Sequence, residues 1–190
     1  MNLPNIITVA RILLVPVFVI VYLSPGASTY IVAATLFALA AATDWLDGYL
    51  ARRLNQTTPF GAFLDPVADK LIVVSALVVL LAEHASIWLT LPGLVIVGRE
   101  IVISALREWM AEMNSSVTVA VSYLGKIKTS LQMIAITVLL AMPPSSESPF
   151  MLAAYALLYL AALMTLWSMS VYLQAAGPTL KKGLESAQDK

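Results

Sequence analysis

The chain has 190 residues, of which 60% are hydrophobic and only 12% charged, and its formal net charge is +0. It contains no cysteine, which excludes disulfide bonds and thiol chemistry. The balanced charge and the absence of a basic patch argue against nucleic-acid binding, and the high apolar content is typical of a membrane protein.

Six apolar stretches follow one another along the chain, at about 4–23, 30–50, 60–82, 87–107, 121–142 and 150–173. Each is close to the ~20 residues that a helix needs to cross a bilayer. Strands are not expected, because backbone groups in lipid must be satisfied within each segment. We therefore predict an all-α integral membrane protein with six transmembrane helices. It forms a single domain over 1–175, followed by a polar tail over 176–190 in which we expect Lys181–Lys190 to be disordered.

The distribution of positive charge predicts the orientation of these six helices. All eleven lysine and arginine residues can be assigned to one side of the membrane. The connections on the opposite side, at 24–29, 83–86 and 143–149, contain none. Because loops rich in Lys and Arg stay in the cytoplasm, we predict that both termini are cytoplasmic, as an even number of spans requires.

Four aspartates interrupt the second and third apolar stretches. Asp44 and Asp47 are three residues apart, and Asp65 and Asp69 are four apart, so each pair lies on one face of its helix. Placing a charged carboxylate beside hydrocarbon costs free energy, so an intramembrane cluster of carboxylates indicates a functional site. A buried aspartate hydrogen-bonded to a neighbouring helix is the structural alternative, but it explains one residue better than two matched pairs.

Small residues accompany both pairs: Gly48 and Ala51 continue the first face, and Gly61 precedes Asp65 by one turn. Bare backbone beside carboxylates leaves room for a bulky ligand. Four converging acids repel one another unless cations intervene, and Mg²⁺ or Mn²⁺ suits oxygen ligands of this kind. Four carboxylates balance two such ions, and paired ions commonly serve displacement at phosphorus.

The pattern D-x2-D-G-x2-A-R-x8-G-x3-D-x3-D, which begins at Asp44, resembles the signature of the CDP-alcohol phosphotransferases, integral membrane enzymes of phospholipid synthesis. The resemblance implies that Asp44, Asp47 and Asp65 bind two metal ions. It implies that Asp69 is both a ligand and the catalytic base. It also implies that the CDP moiety is held by Gly48, Ala51, Arg52 and Gly61.

Three further segments narrow the resemblance: N-L-P-N-I-I-T-V-A-R, G-R-E-I-V-I-S-A-L-R-E and G-K-I-K-T-S-L-Q-M. They are similar to the branch that transfers a phosphatidyl group from CDP-diacylglycerol to sn-glycerol 3-phosphate and releases CMP. An acceptor that carries phosphate needs cations, and the available ones are Arg99, Arg107, Lys126 and Lys128. Further expectations are contact with membrane lipid, a homodimer, and a bacterial inner (plasma) membrane location with the active site facing the cytoplasm.

Several alternatives remain open. Another branch of the family would use serine, inositol, inositol phosphate or phosphatidylglycerol as acceptor, although the basic residues favour a phosphorylated one. A divalent-metal transporter is the more distant alternative, but transport needs access from both faces and the acids lie towards one.

Two single positions also have structural interpretations. Arg99 could simply form an ion pair with Glu100, and Pro66 predicts a kink in the third helix.

Overall fold

The computed structural model describes residues 3–53, 58–112 and 123–188, with the backbone alone for 3–4, 45–53, 123–124, 126 and 180–188. All regular structure in these ranges is helical. The helices are α1 (Leu3–Leu23), α2 (Thr29–Arg53), α3 (Pro59–His84), α4 (Ile87–Glu112), α5 (Tyr123–Leu140) and α6 (Pro149–Gln188). Each corresponds to one of the six apolar stretches, so the all-α prediction is confirmed for the part of the chain that is described.

The length and apolar surface of several helices suit a membrane protein. Within the described residues, three segments are long and apolar enough to cross a bilayer by length and composition, namely Asn5–Leu23, Ile87–Glu112 and Pro149–Thr179. Thr29–Asp44 and Ile127–Leu140 are shorter apolar helices. Large apolar side chains such as Leu94 and Leu163 are mostly exposed, and an apolar surface of this extent suits a hydrocarbon solvent.

Helix packing relies on small residues and on a few aromatic contacts. Fully buried alanines, such as Ala33 and Ala40 on α2 and Ala76 on α3, allow backbones to approach closely, as is usual between membrane helices. Phe18 of α1 meets Phe37 of α2 edge to face, with ring centroids 6.1 Å apart. α1 packs against both α2 and α3, and α6 packs against α4 and α5. One helix, α1, therefore touches both helices that carry the aspartates.

The start of α3 is specified by the local sequence. Thr58 is the extended N-cap residue, and its Oγ1 accepts a hydrogen bond from the amide of Gly61 at 3.0 Å. Pro59 occupies the first helical position, where the missing amide hydrogen has no intrahelical partner to lose. This cap fixes where the helix begins, about two turns before Asp65 and three turns before Asp69.

The C-terminal tail differs from the prediction. The sequence predicts that Lys181–Lys190 is disordered, but α6 continues through Pro178 to Gln188, and the last two residues of that range lie outside the described residues. The residues after Pro178 include Leu, Lys, Glu, Ala and Gln, which are good helix formers. Adding such residues to an existing helix avoids the cost of nucleation, so the helix propagates beyond its apolar part.

Pro66 lies inside α3, and the helix continues through it from Pro59 to His84. Membrane helices tolerate proline in this way.

Candidate active site

The signature aspartates lie on α2 and α3, close to the connection between these helices. Asp44 lies in the second half of α2, and Asp47 follows one turn later. Asp65 and Asp69 lie in the first half of α3. The side chains of four further predicted site residues lie outside the description: Asp47, Gly48, Ala51 and Arg52.

Arg11 of α1 joins the two acidic helices. Its side chain is only 1% exposed, and its Nη1 donates to Asp44 Oδ1 and to Asp69 Oδ1, both at 2.9 Å. The two carboxylates come from different helices, yet both lie against one guanidinium nitrogen. A buried arginine is tolerated only when it is paired and hydrogen-bonded, and these acids provide that pairing.

Two other polar residues of α1 continue this line of contacts. Thr8, also 1% exposed, donates from Oγ1 to Asp65 Oδ1 at 2.9 Å. Asn5 donates from Nδ2 to the Oγ1 of Thr58, the N-cap of α3, at 3.0 Å. Asn5, Thr8 and Arg11 are spaced three apart and lie on one face of α1. We call these three residues the α1 polar stripe.

Gly61 is in close contact with the same stripe. A Cβ built on Gly61 would lie 2.6 Å from Asn5 Oδ1 and 3.2 Å from Thr58 Oγ1. The first distance is shorter than the van der Waals contact between carbon and oxygen, so the two atoms would clash. An alanine here would force the Asn5 side chain to move, so glycine favours the close packing of α1 against α3, independently of the CDP contact that the signature implies.

Three of the four predicted acceptor-binding residues form a second group, on α4 and α5. Lys128 is 6% exposed and interacts electrostatically with Arg99, Glu100 and Arg107. Arg99 donates from Nη1 to Glu100 Oε1 at 2.6 Å, so the ion pair considered from the sequence is formed. Three basic side chains face one acid in this group, which leaves an excess of positive charge. Lys126 lies on α5, but its side chain is not described.

Contacts from neighbouring helices hold this basic group. The guanidinium carbon of Arg107 lies 5.5 Å from the ring centroid of Tyr172 on α6, within the range of a cation–π interaction. Lys70 of α3 donates to Ser104 of α4. Lys70 directly follows Asp69, and Ser104 lies one turn before Arg107. The Lys70–Ser104 contact thus joins the acidic part of α3 to the basic part of α4.

The donor chemistry of the acidic group fits divalent metal ions. Asp44 and Asp69 expose 43% and 48% of their side chains while sharing one partner, and Asp65 is oriented by Thr8. Carboxylate oxygens of this kind are the ligands that Mg²⁺ and Mn²⁺ prefer. Among the side chains that are described, no three acids or histidines stand close enough to form a complete ligand set. The Asp47 carboxylate falls outside that search.

The α1 polar stripe and Tyr172 were not identified from the sequence as parts of a site. Arg11 was counted only as a cytoplasmic-side charge, although a charged residue within an apolar helix is itself a signal. Asn5, Thr8 and Arg11 also occur at regular spacing in N-L-P-N-I-I-T-V-A-R. That spacing could have indicated a polar face, but not its partners.

Comparison with known proteins agrees with these observations. The family model described as CDP-alcohol phosphatidyltransferase matches residues 1–167. A protein of Pseudomonas fluorescens is 56% identical over 182 residues, 95% of this chain and 93% of that protein. Proteins of Salmonella typhimurium and Escherichia coli K12 are each 50% identical over 175 residues, 92% of this chain and 94% of theirs. All three are named CDP-diacylglycerol–glycerol-3-phosphate 3-phosphatidyltransferase. A family model that spans most of the chain, joined to the acid pairs on α2 and α3, places this protein in the CDP-alcohol phosphatidyltransferase family.

Proposed function

We propose that this protein transfers the phosphatidyl group of CDP-diacylglycerol to sn-glycerol 3-phosphate, giving phosphatidylglycerophosphate and CMP. The observation that carries the proposal is the near full-length identity of 50–56% to proteins named for this reaction. The complete acidic signature on α2 and α3 and the basic group on α4 and α5 support it.

The four aspartates supply the chemistry of the transfer. Asp44, Asp47, Asp65 and Asp69 would hold two divalent ions, Mg²⁺ or Mn²⁺. When bound there, such ions offset the charge that builds on the phosphoryl oxygens and on the departing CMP. Asp69, half exposed at the edge of the group, accepts the proton of the primary hydroxyl of the acceptor. The acceptor oxygen then bonds to the phosphorus attached to diacylglycerol, and the phosphorus–oxygen bond to CMP breaks.

The remaining site residues bind the two substrates on opposite sides of the acids. Gly48, Ala51, Arg52 and Gly61 hold the CDP moiety. Arg99, Arg107, Lys126 and Lys128 bind the phosphate of the acceptor. Holding the acceptor hydroxyl beside the reacting phosphorus supplies a large part of the rate, because it removes the entropy cost of the encounter. The buried position of Lys128 supports this role, since a cation in a dry site needs an anionic partner and the nearby Glu100 is already paired with Arg99.

We further propose that residues 1–175 form one membrane domain with six spans and both termini in the cytoplasm. In this topology the acidic and basic groups lie at one depth, near the cytoplasmic surface of the bacterial inner membrane. Acyl chains would then lie in hydrocarbon and the nucleotide at the water boundary. A homodimer in contact with membrane lipid is part of the same proposal.

Two other functions are less well supported. A family member with an unphosphorylated acceptor, such as serine or inositol, would have no use for the basic group around Lys128. Inositol phosphate and phosphatidylglycerol, which carry phosphate, are better competitors. A divalent-metal transporter would need access from both faces, whereas the acids gather at one end of α2 and α3.

An acceptor panel tests the proposal. The purified protein is incubated with CDP-diacylglycerol and Mg²⁺ or Mn²⁺, and CMP release is measured for each alcohol. We expect sn-glycerol 3-phosphate to exceed serine, inositol, inositol phosphate, phosphatidylglycerol and glycerol by at least tenfold. Asp69→Asn should lose nearly all activity and serves as the inactive control, and EDTA should abolish release. Preference for any other alcohol would assign the protein to a different branch of the family.

A further inference from the structure

The acidic group is oriented by a helix that contributes no acid to it. α1 reaches three aspartates on two other helices, through Thr8 to Asp65 and through Arg11 to Asp44 and Asp69. Both donors are 1% exposed, so packing restricts their own rotamers. The third residue of the stripe, Asn5, bonds to the cap that fixes where α3 begins.

These contacts address a physical problem that the signature leaves open. A carboxylate on a helix rotates about two side-chain torsions, and its oxygens bind metal well only when they point to one place. Hydrogen bonds from neighbouring residues restrict that rotation and are a common device in metal sites. Thr8 restricts Asp65, and Arg11 ties Asp44 to Asp69 although these two residues belong to different helices.

We propose that Thr8 and Arg11 are positioning residues that hold the carboxylates of Asp65, Asp44 and Asp69 in the arrangement that binds the divalent ions. This inference rests on the proposed metal-dependent transfer. It assigns to α1 a role in the site that the aspartate signature does not contain.

Thr8 provides the sharper test, because its substitution changes no charge. Thr8→Val removes the hydroxyl with little change in shape, and Thr8→Ser keeps it. Mn²⁺ binding to the full-length purified protein is measured without substrates, from the electron paramagnetic resonance signal of free Mn²⁺. Loss of an outer contact of this type weakens metal binding by roughly ten- to a hundredfold. We expect that loss in Thr8→Val, with a lower kcat and little change in the KM for the acceptor, and near wild-type values in Thr8→Ser.

Thr137→Val is the matched control. Thr137 is a part-buried threonine of α5 whose hydroxyl donates to Met133 of its own helix, so this variant should bind Mn²⁺ like the wild type. Arg11→Lys tests the second donor, since it keeps the charge but replaces the planar guanidinium by a single ammonium. In the same Mn²⁺ measurement it should weaken binding by at least tenfold, with both KM values within about threefold.

The outcomes are separable. Wild-type Mn²⁺ affinity in folded Thr8→Val would overturn the role of Thr8, even if its thermal stability fell, because a purely structural contact predicts that pattern. Wild-type Mn²⁺ affinity in folded Arg11→Lys would overturn the role of Arg11. A different acceptor in the panel would leave the Thr8→Val binding defect intact and affect only the proposed function. Wild-type protein that binds no Mn²⁺ would overturn both.

Discussion

Gly61 illustrates how a single residue can serve two purposes. The signature implies that it leaves room for CDP, whereas the structure places Asn5 Oδ1 2.6 Å from the position of a Cβ. Asn5 cannot easily withdraw, because it is 6% exposed and bonded to Thr58. Packing between α1 and α3 therefore favours glycine even without substrate, and the two roles require separate measurements.

A double-mutant cycle separates them. Gly61→Ala should displace Asn5 and break its bond to Thr58, at about 1 kcal/mol for the bond and about 1–3 kcal/mol for overpacking. We expect the thermal unfolding midpoint to fall in the wild-type background, and to fall much less in the Asn5→Ala background, where the clash is absent. Equal losses in both backgrounds would contradict the packing role. A raised KM for CDP-diacylglycerol that persists in the double variant would support the CDP contact.

At the scale of helices, the basic group on α4 depends on α6. Arg107 lies under the Tyr172 ring, and Tyr172 belongs to a buried cluster with Ile103, Met110 and Ala176. These residues pack the second half of α4 against the second half of α6, around Tyr172 and Ala176. The last helix, which carries none of the predicted site residues, thus holds an arginine that we assign to the acceptor phosphate.

Substitution of Tyr172 tests this dependence. A cation–π contact is worth about 0.5–2 kcal/mol, so Tyr172→Leu should raise the acceptor KM by roughly two- to thirtyfold. Tyr172→Phe keeps the ring and should remain close to wild type. Trp167→Leu is the control, since Trp167 is on the same helix, is 70% exposed and should leave the KM unchanged. An equal rise in the KM for CDP-diacylglycerol would argue against an effect specific to the acceptor.

At the scale of the whole molecule, the connections at 24–29, 83–86 and 143–149 contain no lysine or arginine. Asp65 and His84 lie near opposite ends of α3, separated by roughly 28 Å along the axis, close to the thickness of a bilayer core. Burial lowers the pKa of His84, against the opposing effect of Glu83, so this end of α3 carries no histidine cation at neutral pH. This asymmetry supports the proposed orientation.

Cysteine labelling tests the proposed orientation directly, because the chain has no native cysteine. Two single-cysteine variants are made. Ser145→Cys places the thiol in the exposed connection between α5 and α6, and Ser186→Cys places it near the C-terminus. In spheroplasts, a membrane-impermeant maleimide should label Ser145→Cys and should reach Ser186→Cys only after permeabilisation. The reverse pattern would invert the proposed topology, and labelling of both in intact spheroplasts would mean that α6 does not cross the membrane.

The sequence alone determined the helices and the acid pairs, because both depend on local spacing. Apolar stretches of about 20 residues predict membrane helices, and separations of three and four residues place two carboxylates on one face. The prediction of a disordered tail was wrong because it used only the polar composition of that segment. It ignored that the segment continues an existing helix, which needs no new nucleation. Family membership also followed from the linear order of Asp44, Gly61 and Asp69.

Only the tertiary structure decided which helices meet. Thr8 and Asp65 are 57 residues apart, and Arg11 and Asp69 are 58 apart, so no local periodicity predicts these bonds. Several pairings of six apolar helices satisfy the same hydrophobic pattern, since lipid and helix surfaces are equally apolar. Close packing through small residues selects one of them. That selection turns Arg11 from a charge within an apolar helix into the shared partner of two carboxylates.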